Sequence, residues 1–298
     1  MQNTATLVAA PAFDGLPAIA ASLARRLDSA TAWLEEGRAV DLAVDGLTQA
    51  ELSEEVAAAI ADAPVDHAVQ PAFGRRKRVL IADMDSTFIT VECIDVIARH
   101  AGIGAEIAEI TQRTIRGELD FSDSLRARVA RLAGASVALF EKAWREDVGF
   151  MPGGPTLLAT MRANGALTAL VSGGFTWFTQ RVADAVGFDL HRANVLGIED
   201  DTLTGTLEEP ILDRGAKLSI LRELALGRGL SLCETMAVGD GANDIDMLRA
   251  AGTGVAYHAV PAAAQAADAA VHHGDLTTLL FYQGYRRPEF IEATPRSR

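Results

Sequence analysis

The chain has 298 residues, 49% of them apolar and 22% charged, with a formal net charge of -13. This is enough apolar material for a sizeable core and a length suited to about two domains, and it excludes a disordered or low-complexity chain. The acidic balance argues against general affinity for nucleic acid or an anionic membrane surface, so a site for an anionic ligand needs local Lys, Arg or a metal ion.

Residues 1–72 read as a small α/β unit. TATLVAAP is a candidate strand, LPAIAASLARRLDS a helix with apolar residues at helical spacing, and AVDLAV an alternating strand. TQAELSEEVAAAIADA is a second helix, with Thr48 as N-cap and Glu51 three positions on. VDHAVQPA is a third candidate strand. Pro11, Asp14, Gly15 and Pro17 break the apolar start, which argues against a signal peptide or membrane span; the expectation is a soluble cytoplasmic protein. The basic run FGRRKR reads as a solvated linker and marks the domain boundary.

From residue 77 strands alternate with helices. RVLIAD, ALTALVSGG and TMAVGDG are apolar runs that end in small residues and a polar tip, as strands buried on both faces do. TGVAYHA and AAVHH supply two further strands, and GPTLLATMRANG, FTWFTQRVADAVG and AKLSILRELALGRG the helices between. This alternation predicts an α/β fold with a doubly wound parallel sheet, the core formed by residues 77–93 and 151–290. Residues 94–150 read as helices only, too long for an ordinary crossover, and are expected to form an inserted cap over the strand ends. Cys93 and Cys233 are too few for a disulfide framework or a zinc site.

The polar tips Asp83, Ser172 and Asp240 fall at carboxyl ends of strands, where ligands bind in such sheets. Asp83, Asp85 and Asp240 repel one another unless a cation joins them, and an all-oxygen donor set suits Mg²⁺; Asp244 and Asp246 add oxygen donors nearby. Asp83, held at a strand end, suits a nucleophile attacking phosphorus, and Asp85 in the following turn suits a general acid and base. Ser172, the N–H groups of Gly173 and Gly174, and Lys217 are candidate phosphate donors, with Asn243 orienting the site.

The series DMDST, VSGG, the lysine of DRGAK and VGDGANDIDML, in that order, resembles the haloacid dehalogenase-like phosphotransferase superfamily over roughly residues 77–285. TVECIDVIARHAG, GELDFSDSLRARVARLAG and ANVLGIEDDTLTGTLEEPILD are further similar to its phosphoserine phosphatase family. That resemblance implies hydrolysis of O-phospho-L-serine through a phosphorylated Asp83, with Asp85 as acid and base, as the last step of serine biosynthesis. It also implies Mg²⁺ on Asp83, the main-chain carbonyl of Asp85 and Asp240, and phosphate on Ser172, Gly173 and Lys217 with Asn243. Glu92 and Arg128 would read the ammonium and carboxylate of the substrate, a pairing that is also chemically sensible, with Phe121 closing the cap.

Thr114 and Ile115 replace the family's usual Ala-Met pair, and Phe88 its usual aliphatic residue. The N-terminal unit resembles the ACT-like modules on longer family members. The alternatives are a related phosphatase or phosphotransferase for another small ester, such as phosphohomoserine, and a catalytically idle serine-binding regulator. The sequence leaves the oligomeric state open, a homodimer being one option.

Overall fold

The computed structural model describes residues 2–296, without the side chain of Ile115. Near its N-terminus, β1 (Asn3–Ala9), β2 (Thr31–Glu35), β3 (Ala39–Val44) and β4 (Val65–Pro71) form antiparallel pairs around β1. Helices α1 (Leu16–Arg26) and α2 (Gln49–Ile60) lie on one face, where Ala5, Leu7, Leu16, Leu23, Leu52 and Val56 share a core. The capping box forms as the spacing predicts: Thr48 Oγ1 accepts from Glu51 N–H, and the Glu51 carboxylate accepts from Thr48 N–H. Strand β2 was not legible, because an exposed edge strand carries little apolar alternation.

The larger, C-terminal half holds six parallel strands: β5 (Val79–Ala82), β6 (Leu167–Phe175), β7 (Leu190–Asn194), β10 (Thr235–Gly239), β11 (Thr253–Tyr257) and β12 (Ala269–Val271). Every residue of β5 is fully buried, which explains its unbroken apolar run. Helices α7 (Gly154–Ala163), α8 (Thr176–Val186), α9 (Arg214–Gly227), α10 (Ile245–Ala250), α11 (Pro261–Ala266) and α12 (Thr278–Tyr282) accompany these strands. Counted among themselves, the parallel strands run 3-2-1-4-5-6, so the winding reverses between β5 and β10. A crevice opens there, outside the strands' carboxyl ends.

Between β5 and α7 stand α3 (Cys93–His100), α4 (Gly104–Ile115), α5 (Phe121–Arg131) and α6 (Ala138–Glu146). Their apolar faces continue the main core through Ile97, Leu125, Val129, Phe140 and Trp144. The hairpin of β8 (Leu196–Glu199) and β9 (Thr202–Leu207) packs on α5, with Gly134 N–H bonded to the Leu203 carbonyl. Its turn residues Asp200 and Asp201 have φ of 46° and 59°, a left-handed pair without the Asn-Gly signal that marks such turns in a sequence.

The two halves share one ten-stranded sheet, because β4 pairs with β12 at His67 and Ala270. Asp66, 2% exposed, accepts the backbone N–H groups of His272, His273 and Gly274 across this seam. The FGRRKR run is not a solvated linker. Arg75 forms two hydrogen bonds to Asp41, one to Thr6 and others to the carbonyls of Phe281 and Tyr282. Lys77 is buried and donates to the carbonyls of Gly74 and Cys233, and Arg76 stacks on Tyr285. These cations sit where carbonyls and Asp41 converge between the halves, and composition alone cannot show that. Among the described residues no helix is long and apolar enough to cross a membrane.

Candidate active site

Strand β5 ends at Ala82 and hands the chain to Asp83, whose N–H bonds the Val238 carbonyl of the neighbouring β10. Asp83 is 5% exposed; its Oδ1 accepts from Met84 N–H at 2.8 Å and lies 2.8 Å from Lys217 Nζ. Lys217 is also buried and lies 2.7 Å from Asp244 Oδ1, so one ammonium bridges acids from two strand ends. Burial alone would pull that ammonium down, but Asp244 and Asp83 outweigh it and hold Lys217 above its ordinary range.

Asp240 follows β10 and accepts from Thr87 Oγ1 at 3.0 Å. Burial first, then Asp83 and Asp244, raise its carboxyl to about 7. Asp244 is raised to about 6 by burial and Asp83, against the pull of Lys217. Asp83, Asp240 and Asp244 each offer one carboxylate oxygen, all within 4.8 Å of one another. Three acids this close, with a single lysine between two of them, are a donor set that fits a hard divalent cation. Asp246 does not join them: it pairs with Arg214, against the expectation that it adds a donor. His100, Glu146 and Asp147 form a second cluster, in which Asp147 is already paired with Arg99 and His100.

Asp85 lies one step beyond. Its Oδ1 accepts the N–H of Cys93, the first residue of α3, at 3.0 Å, and its Oδ2 stands 3.4 Å from Ser172 Oγ. Burial, then Glu92, push its carboxyl up to about 8. Ser172 Oγ also accepts from Gly174 N–H at 2.9 Å, which shapes the loop that closes β6. A Cβ on Gly173 would stand 2.8 Å from Phe121, and one on Gly174 would stand 2.8 Å from Asp85 Oδ2, so a side chain at either position would push these two groups out of place.

A cavity of about 170 Å³ is lined by Asp83, Asp85, Asp240 and Ser172 together with Glu92, at the start of α3, and Phe121 and Arg128 of α5. Glu92 and Arg128 are therefore neighbours in space although 36 positions apart. Arg128, half-buried, is lowered from its ordinary value by burial; Glu92 stands at the solvent-exposed mouth of the cavity, where the surrounding protein and the nearby acids raise it. The nearby arginines are committed elsewhere, Arg126 to Glu209 and Arg131 to Glu106. Asn243 also lines the cavity, whereas Lys217 lies behind Asp83. The side chain of Ile115 lies outside the described residues; Thr114 donates to Ser124 at 2.6 Å beside the cavity wall. Phe88 is a packing change, edge-on to Phe188 at 4.8 Å.

Sequence reasoning passed over Asn194 and Thr87. Asn194, 2% exposed at the end of β7, donates to the Gly173 carbonyl at 2.8 Å and accepts from Leu212 N–H at 2.7 Å. It holds the backbone of the Ser172–Gly174 turn from behind. The one signal was a polar residue closing a strand, which is weak without the sheet order.

A profile described as haloacid dehalogenase-like hydrolase matches residues 80–249. The chain belongs to the haloacid dehalogenase-like hydrolase family. Within this family, a protein of Streptomyces coelicolor named phosphoserine phosphatase is 43% identical over 257 residues, covering 86% of this chain and 62% of the relative. The chain thus spans less than two thirds of that relative's length. A structure of a probable phosphoserine phosphatase from Vibrio cholerae superposes with a TM-score of 0.78 and 33% identity, covering 96% of this chain and 88% of the other. A structure described as a phospho-aspartyl intermediate analogue of phosphoserine phosphatase superposes with a TM-score of 0.65 and 37% identity, covering 70% of this chain and 99% of the other. Haloacid dehalogenase-like phosphatases use a metal ion, and the Asp83, Asp240 and Asp244 cluster is placed to hold one.

Proposed function

We propose that this chain is a Mg²⁺-dependent phosphomonoesterase that hydrolyses O-phospho-L-serine to L-serine and phosphate. The observation that carries the reading is a single cavity lined both by strand-end carboxylates and by an acid and a guanidinium of opposite charge, Glu92 and Arg128. Phosphoserine has the matching layout, a phosphate joined through one methylene to a carbon bearing an ammonium and a carboxylate. The printed names of the relatives support the same substrate.

Asp83 Oδ1 is engaged by Met84 N–H and Lys217, which leaves Oδ2 to attack phosphorus. As the Asp83–phosphorus bond forms and the bond to the serine oxygen breaks, Asp85 gives its proton to that oxygen. Its carboxyl, raised to about 8, carries this proton at neutral pH. Asp85 then takes a proton from water as the water oxygen bonds phosphorus, and Asp83 leaves as a carboxylate. Ser172 and the Gly173 and Gly174 backbone line the phosphoryl end, and Asn194 keeps that loop in place. Asp83, Asp240 and the Asp85 carbonyl, with Asp244, would hold Mg²⁺, which supplies positive charge against the phosphoryl oxygens when bound. Arg128 pairs with the carboxylate and Glu92 with the ammonium, while Phe121 helps exclude water.

Phosphate release from O-phosphoserine, with Mg²⁺ and with chelator, tests the proposal. Turnover that needs the ion and favours O-phosphoserine over phosphohomoserine and simple phosphate esters is expected. Equal rates on all esters, or release indifferent to chelation, would overturn it.

A further inference from the structure

Glu92 occupies the N-cap position of α3, yet its side chain makes no bond to its own helix. Its Oε1 instead accepts a 2.7 Å hydrogen bond from Ser86 Oγ. Ser86 is unusual in itself: its φ is +56°, a left-handed conformation that costs energy for any residue with a Cβ. Two residues of the nucleophile loop are therefore tied to two residues at the start of the cap. Ser86 reaches forward to Glu92, and Cys93 N–H reaches back to Asp85 at 3.0 Å. Both acids face the same cavity. A strained backbone held in place by surrounding bonds is common where a side chain must be aimed.

We infer that Ser86 is a positioning residue for substrate selection, its hydroxyl fixing the Glu92 carboxylate to meet the substrate ammonium. This rests on the phosphoserine reading above. The hydroxyl holds one Glu92 oxygen and leaves the other for the ligand. Without it the carboxylate rotates, and ordering it again is charged against binding of the ammonium. The left-handed backbone at residue 86 is what carries the hydroxyl to Glu92 across six positions of chain.

The test compares O-phosphoserine with 3-phosphonooxypropanoate, the same ester without the ammonium. For Ser86→Ala the ratio of kcat/KM between the two esters falls about tenfold, mostly through KM for O-phosphoserine, the scale of one hydrogen bond to a charged group. Ser86→Gly relieves the backbone but has no hydroxyl, and its ratio falls likewise. Ser86→Asn tolerates the left-handed backbone and offers an N–H donor, so its ratio returns to within about threefold of wild type. Wild-type selectivity in Ser86→Gly, or an equal loss on both esters in Ser86→Ala, overturns the inference alone. No turnover of O-phosphoserine by the wild type overturns the function and this inference together.

Discussion

Replacing Arg128 by Ala separates recognition from chemistry. The guanidinium lines the same cavity as Asp83, and its own hydrogen bond, Nε to the Ser124 carbonyl, is a long 3.4 Å. It is thus available for a ligand carboxylate. Losing one partner of a desolvated, hydrogen-bonded charge pair costs roughly 2–5 kcal/mol. Arg128 is half-buried, so the lower part of that range applies, roughly 2–3.5 kcal/mol, or about 30- to 300-fold in kcat/KM. The loss should fall on O-phosphoserine and much less on O-phosphoethanolamine, which keeps the ammonium and lacks the carboxylate. Steady-state kinetics on both esters, with folding checked by circular dichroism, gives the ratio directly. A ratio unchanged from wild type would refute the assignment, since Arg128 would then act on the phosphoryl end or on folding alone.

Asp83→Asn should reduce turnover by more than about a thousandfold, because an amide neither attacks phosphorus nor balances the cation; phosphate release within tenfold of wild type would contradict the nucleophile. Metal-free protein should lose stability as pH rises from 6.5 to 8. The carboxyls of Asp85 and Asp240, raised to about 8 and about 7, hold protons in the folded state that the unfolded chain releases near pH 4, and that stabilisation is lost as pH passes their folded values. Mg²⁺ should therefore raise the melting temperature more at pH 8 than at pH 6.5; a shift independent of pH would count against a carboxylate site. Arg75→Ala should destabilise the fold by roughly 3 kcal/mol in urea titration, the low end of the cost of stranding a buried charge, because its partner Asp41 is half-buried. The double change Arg75→Met with Asp41→Leu should cost less than Arg75→Ala; an equal or greater cost would refute the stranded-charge account.

Much of the parallel sheet was readable because buried strands leave apolar runs that stop at polar tips, as VLIA before Asp83 does. The acids of the site were readable for the same reason: two carboxylates at strand ends, Asp83 and Asp240, with Asp85 two positions on, demand an explanation that surface acids do not. What stayed hidden depended on partners distant in sequence. Asn194 matters only because β7 lies beside the Gly173 turn, and Arg75 only because Asp41, Thr6 and the α12 carbonyls meet around it. The exposed strands β2, β8 and β9 carry short or broken apolar patterns, so periodicity could not separate them from loops.

The β4–β12 pairing bears on how the chain tolerates shortening. Removing the residues before Arg75 would bare the flank of Ala269–Val271 and uncover Phe281 and Tyr282, both 0% exposed, which pack in one cluster with Val8, Leu34, Ala39 and Ala68. A bare strand edge beside fresh aromatic surface invites self-association. The first seventy residues thus cover surface that the rest would otherwise present to solvent, and a trimmed version should precipitate even with every group around Asp83 intact.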